Sequence, residues 1–110
     1  MKIGFIGCGK YGGSMMHGIL DSGKCTPQEL MASDALEKAL EARKEEMGIL
    51  AAKDNKETAA FADVLFLAVK PQYFDVVFEE IKNVLTKDQV IISLAPAFPY
   101  RISAQGLAAV

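Results

Sequence analysis

Chemistry that depends on metal ligands or a cysteine–histidine pair has little to work with in this chain. It holds one histidine and two cysteines, and Cys8 and Cys25 stand at no metal-ligand spacing. No metal is expected. Positive charge is not in excess either: 12 Lys and Arg against 14 Asp and Glu leave a formal net charge of −2 and a pI near 5.3. Nucleic acid and anionic membrane surfaces are therefore not expected partners. Long apolar runs are missing, since the longest, Val64 to Val69, falls far below the ~18 residues needed to cross a bilayer. The N-terminus enters a strand at once without a signal-peptide pattern, so the expected location is cytoplasmic. Repeats and low-complexity segments are also absent. What remains, 110 residues at 51% hydrophobic and 24% charged, reads as one folded unit with its own core.

Against that background one segment stands out. The apolar run Lys2 to Ile6 leads directly into Gly7-Cys8-Gly9-Lys10-Tyr11-Gly12, a G-x-G-x-x-G loop between a strand pattern and a helix pattern. Gly7 suits the tight strand-to-helix turn, Gly9 leaves room for a pyrophosphate at the backbone, and Gly12 lets the helix pack close to the strand. The helix opening there aims unpaired amides and the positive end of its dipole at the phosphates. A nicotinamide or flavin nucleotide is the expected ligand. Cys8 reads as a small residue filling space beneath the loop, Cys25 as a loop residue, and His17 as a structural residue on the first helix.

Along the chain, apolar strands and amphipathic helices alternate. A helix is expected from Gly12 to about Leu20, with Gly23 available to end it. Thr26-Pro27-Gln28-Glu29 predicts a single helical turn before a strand at Leu30 to Ser33. Ala35 to Met47 has helical spacing, with Gly48 at the C-cap. A weak strand at Ile49 to Ala52 follows, and Asp54-Asn55-Lys56-Glu57 offers an N-cap or capping box for a short helix through Phe61. Val64 to Val69 reads as a central parallel strand covered on both faces. Pro71 then starts a helix with the stripe Phe74, Val77, Phe78, Ile81 and Leu85, before a last strand at Val90 to Leu94. The expected fold is α/β, a Rossmann-type doubly wound parallel sheet of about five strands in the order 3-2-1-4-5.

On such a sheet ligands sit beyond the carboxyl ends of the strands, here marked by the glycine loop, Asp34, Lys70 and Ala95. Asp34 stands at the end of the second strand, where a carboxylate can accept from an adenosine ribose 2′-hydroxyl and disfavour a 2′-phosphate, a lean toward NADH. Lys38 or Arg43 could offset that charge by folding back. The alternative role for Asp34 is a cap on the helix starting at Ala35. Lys70 ends an apolar strand, so its ammonium emerges at the cleft mouth, to meet cofactor or only solvent.

The opening Lys2 to Gly9, the runs Met31 to Ser33, Asn55 to Thr58, Ala62 to Gln72 and Ile91 to Ala95 together resemble the cofactor domain of pyrroline-5-carboxylate reductase over about residues 1–96. The Ala-Val-Lys-Pro-Gln element beside the glycine loop carries most of that likeness. The resemblance implies NAD(P)H-dependent hydride transfer to the cyclic imine 1-pyrroline-5-carboxylate, giving proline. It assigns Ile6, Gly7, Cys8, Gly9, Lys10 and Tyr11 to the pyrophosphate loop, and Asp34 and Asn55 to the adenosine ribose. Ala68, Val69, Lys70 and Pro71 fall on the nicotinamide side, and Ala95 on the next strand end. Asn55 has the alternative role of capping its own helix.

Family members follow the second strand with a polar residue and arginine, where this chain has Asp34-Ala35. They also continue into a helical dimerisation domain holding the imine site, so the resemblance assigns no catalytic residue here and implies an inactive chain by itself. Residues 97–110, with weak helical patterning broken at Gly106, read as an atypical tail, truncated or non-native. Bared apolar surface predicts a homo-oligomer. The rival readings are another Rossmann dehydrogenase of hydroxyacid, prephenate or deazaflavin-linked type, and a non-enzymatic nucleotide-binding module.

Overall fold

The computed structural model describes residues 1–93 and the two short strands at 101–103 and 106–109. Its first strand, β1 (Ile3–Ile6), is buried at all four positions, because parallel strands on both sides and helices on both faces leave it no solvent edge. Helix α1 (Lys10–Asp21) leads to β2 (Leu30–Ser33), α2 (Glu37–Met47), β3 (Leu50–Ala51) and α3 (Asn55–Phe61). The second half runs β4 (Val64–Leu67), α4 (Phe74–Ile81), β5 (Val90–Ser93), β6 (Arg101–Ser103) and β7 (Gly106–Ala109).

The sheet order is β3-β2-β1-β4-β5-β6-β7, parallel through β5. The parallel five carry the order read from the sequence. Two further strands extend it, β6 adding to β5 antiparallel and β7 to β6, so that the sheet has seven strands among the described residues.

Alternation along the central strands divides the core in two. Leu65 and Leu67 of β4 and Ile6 of β1 pack under α3 and α4, with Phe74, Val77 and Ile81. Phe5 and Phe66 face the other way, stacked at 4.8 Å between ring centroids, and meet Met16 of α1 and Leu40 of α2. Cys25, expected in a loop without a role, is buried in this second cluster. Gly4 is the point of closest approach on the first face: a Cβ there would lie 2.9 Å from both Ala62 Cβ and Thr58 Cγ2 of the α3 region.

Most helix ends fall where the local chemistry put them. Gly48 closes α2 in the left-handed conformation at φ 73°. Thr26 and Glu29 form a capping box around the 3-10 turn Pro27–Glu29. The Asp54 side chain caps α3 by accepting from Glu57 N at 2.9 Å, so Asn55 is the first residue of that helix rather than its cap. Three starts differ from expectation. Helix α1 begins at Lys10, two residues early, and α4 is preceded by a 3-10 turn at Pro71–Tyr73. Helix α2 begins at Glu37 rather than Ala35, because Asp34 Oδ1 accepts from Leu36 N at 2.8 Å and holds Leu36 extended. No helix among the described residues is long and apolar enough to cross a membrane.

Candidate functional site

The chain order reverses between β1 and β4, the switch point at which open α/β sheets leave a crevice beyond their strand ends. A cleft of about 410 Å³ opens there, lined by Ile6, Gly7, Gly9, Asp34, Asn55 and the segment Ala68 to Lys70. Ala35, Tyr73, Val76, Val77 and Glu80 complete its walls. A volume of this size lies within the usual range of small-molecule sites, roughly 300–1,000 Å³.

Each glycine of the loop does a different job. Gly7 turns the chain at φ 95°, and a Cβ there would lie 2.8 Å from the Ala68 carbonyl oxygen across the switch point. Gly12 lies under the loop, where a Cβ would fall 2.8 Å from the Gly7 carbonyl oxygen, so α1 can start this close to β1 only without a side chain. Gly9 is the opposite case, since a Cβ there would meet no atom within 4 Å. It is the N-cap of α1 and offers no side chain to the first-turn amides.

Cys8 is fully buried between these glycines. Its amide donates to Asp34 Oδ2 at 2.9 Å, its thiol lies 3.4 Å from the same oxygen, and its carbonyl accepts from Arg43 Nε at 3.2 Å. Burial, then the Asp34 charge and hydrogen bond, push the thiol from the ordinary 9.0 up to about 12, with Arg43 opposing. A thiol so held is protonated and inert, which fits the space-filling role.

Asp34 thus links the loop to the end of β2 and also holds Leu36 N; it does not cap a helix at Ala35. Arg43 does fold back onto the loop, whereas Lys38 stays exposed. Asn55 accepts from Ser33 Oγ at 2.7 Å and turns its amide toward Glu80, 3.4 Å away, at the cleft wall. Lys70 is exposed at the cleft mouth and makes no ion pair among the described residues. His17 pairs with Glu46 on α2, a structural contact that, with Arg43 nearby, holds the Glu46 carboxyl below its ordinary range.

Of the residues expected at the site, Ile6, Gly7, Gly9, Asp34, Asn55, Ala68, Val69 and Lys70 come together around the cleft. Cys8 and Gly12 support the loop from beneath, and Pro71 starts the turn into α4 without lining the cleft. The side chains of Lys10 and Tyr11, and all of Ala95, lie outside the described residues. Sequence reasoning passed over Tyr73 and Val76. Nothing in the local pattern marks them: they lie off the buried stripe, 53% and 61% exposed, and line the cleft only through the placement of α4 beside the switch point.

A doubly wound sheet, a glycine loop at its switch point and an acidic residue at the end of β2 define a Rossmann-type ligand-binding domain. The chain belongs to the family described as NADP oxidoreductase, coenzyme F420-dependent, whose model matches residues 2–97. It is 40% identical over 98 residues to the pyrroline-5-carboxylate reductase of Methanosarcina acetivorans, covering 89% of this chain and 36% of that protein. Among solved structures it is similar to a pyrroline-5-carboxylate reductase from Coxiella burnetii, with TM-score 0.79 and 35% identity over 86% of this chain and 35% of that one. A Plasmodium falciparum pyrroline carboxylate reductase with NADP bound gives TM-score 0.73 and 26% identity over 86% of this chain and 33% of that one. The chain spans about a third of the length of these relatives.

Proposed function

We propose that this chain is the nicotinamide dinucleotide-binding part of a pyrroline-5-carboxylate reductase, which presents a reduced nicotinamide for hydride transfer to 1-pyrroline-5-carboxylate, giving proline. The observation that carries the reading is the open space over Gly9, at a helix N-terminus with no side-chain cap. A pyrophosphate needs such a place to reach backbone amides. The similarity to pyrroline-5-carboxylate reductases supports the imine as substrate.

The loop from Ile6 through Cys8, Lys10 and Tyr11 to Gly12 is assigned to the pyrophosphate. Asp34 and Asn55 take the adenosine ribose. Tyr73, Val76 and Val77 supply an apolar wall for the adenine, with the Glu80 carboxylate an acceptor for its amino group. Ala68, Val69, Lys70, Pro71 and Ala95 take the nicotinamide side. When bound, the cofactor supplies the hydride, and the contribution of these residues is orientation. Self-association through apolar surface left bare on this domain belongs to the same proposal.

Asp34 favours NADH over NADPH, because a 2′-phosphate would meet its carboxylate. Calorimetric titration of the 110-residue chain tests both levels. Asp34→Asn keeps a hydrogen-bonding side chain and removes the charge. The expected result is NADH binding at least about ten-fold tighter than NADPH, about 1.4 kcal/mol, with the gap narrowed in Asp34→Asn. Tighter NADPH binding overturns the cofactor choice, and binding of neither overturns the function.

The description of the family supports a second reading, hydride exchange between NADP and a deazaflavin coenzyme. Reduction of the imine with NADH alone, by this chain supplied with the remaining domain of a pyrroline-5-carboxylate reductase, would exclude it.

A further inference from the structure

The Cys8–Gly9 peptide is where the loop meets the cleft, and it is held from behind. Every peptide bond among the described residues is trans, so the Cys8 carbonyl and the Gly9 N–H point to opposite edges of one plane. The carbonyl is turned toward α2, where Arg43 Nε donates to it at 3.2 Å. That leaves the Gly9 N–H on the far side, and Gly9 is exposed and lines the cleft.

A second, independent observation is on α1. A Cβ on Gly13 would lie 2.9 Å from both Arg43 Cζ and Nε, so the guanidinium lies flat against the helix in a space that only glycine leaves. The other edge of the guanidinium is tied as well: Arg43 Nη1 donates to Glu46 Oε2 at 3.2 Å, and Glu46 pairs with His17 of α1. Arg43 therefore bridges α1, α2 and the loop with its planar fork.

We propose that Arg43 is a positioning residue for dinucleotide binding: by holding the Cys8 carbonyl it fixes the plane of the Cys8–Gly9 peptide and aims the Gly9 amide at the pyrophosphate. The inference rests on the reading of the cleft as a dinucleotide site. It differs from a direct role at a 2′-phosphate, because the guanidinium sits behind the loop and its effect is shared by NADH and NADPH.

The test uses Arg43→Met, Arg43→Lys, Gly13→Ala and the Arg43→Met/Gly13→Ala double variant of the full chain, titrated with NADH, NADPH and adenosine. Arg43→Met and Gly13→Ala each weaken both dinucleotides about ten-fold, leave adenosine unchanged and do not add in the double variant. Arg43→Lys restores part of the loss. Gly13→Ala separates positioning from mere stability, since alanine suits a helix interior better than glycine and the melting temperature holds or rises while affinity falls. NADH affinity within two-fold of the parent in both single variants overturns the proposal, as does a loss confined to NADPH. Should the parent bind no dinucleotide, the functional reading falls, and the clamp is judged on the free chain. The amide order parameter of Gly9 then drops from the rigid range in Arg43→Met if the clamp exists, and an unchanged value overturns it.

Discussion

Gly7 and Gly9 are two residues apart and opposite in kind. Gly7 combines a positive φ with a Cβ position 2.8 Å from the Ala68 carbonyl oxygen, backbone that cannot swing aside. Gly7→Ala is expected to cost roughly 2–5 kcal/mol, strain and overpacking together, read as a drop in denaturant midpoint. Gly9→Ala meets nothing and costs below about 1 kcal/mol, the N-cap preference alone. On the proposed function it is nevertheless expected to weaken dinucleotide binding, because the methyl group would occupy the pyrophosphate's approach. Equal stability losses at the two positions would contradict this division.

The buried Cys8 thiol adds a pH dependence. Its folded value is raised to about 12 from an ordinary 9.0, so folding keeps a proton that the unfolded chain releases. The stabilising contribution is fully present below pH 9 and is lost as pH rises through about 12. Urea midpoints should therefore fall across that window and fall less in Cys8→Ala. The glycine spacing was legible because it follows from the turn at Gly7 and the close start of α1 at Gly12. That one Asp34 oxygen holds both the amide and the thiol of Cys8 was not, since the contact joins residues 26 apart in sequence.

At the scale of elements, local chemistry predicted the helix ends that local chemistry controls. Asp54 with Glu57 three residues on, and Gly48 after a charged helix, each satisfy the bare backbone groups of their own helix. Asp54→Ala is expected to cost about 1 kcal/mol, lowering the melting temperature by roughly 4–8 °C, while Asp54→Asn keeps most of the cap. Thermal melts of the pair decide it, and equal losses would place the stabilisation in charge rather than in the cap bond. The starts of α1 and α2 were less legible. They are set by Gly9 as a cap without a side chain and by the Asp34 bond to Leu36 N, both consequences of how the loop meets β2. Strands β6 and β7 were missed for the same physical reason. Short antiparallel segments owe their state to the partner they pair with, and the pairing of Ile102 with Ile91 leaves no periodic mark in the sequence.

At the scale of the molecule, two cores on opposite faces of one sheet meet at β1 and β4, and the cleft opens at the ends of those two strands. The strict alternation of strands and helices made this architecture readable, because a parallel sheet with short connections has few ways to be wound. The apolar wall of the cleft was not readable, since Tyr73 and Val76 acquire meaning only once α4 lies beside the switch point. A ligand seated there touches the glycine loop, the end of β2 and α4 at once, so binding ties both halves of the sheet together. Ligand at 100 times its dissociation constant stabilises the folded state by about 2.7 kcal/mol. For a domain of this size that corresponds to a rise in melting temperature of roughly 10–20 °C. On the proposed function NADH is expected to produce such a rise, with adenosine well behind it at equal concentration because it would engage only the walls assigned to the ribose and adenine. Val76→Asp, which places a carboxylate on the exposed apolar wall, should cut the NADH-induced rise while leaving the melt of the free chain close to the parent's. An undiminished rise in that variant would move the adenine elsewhere, and equal rises with adenosine and NADH would remove the pyrophosphate loop from the binding site.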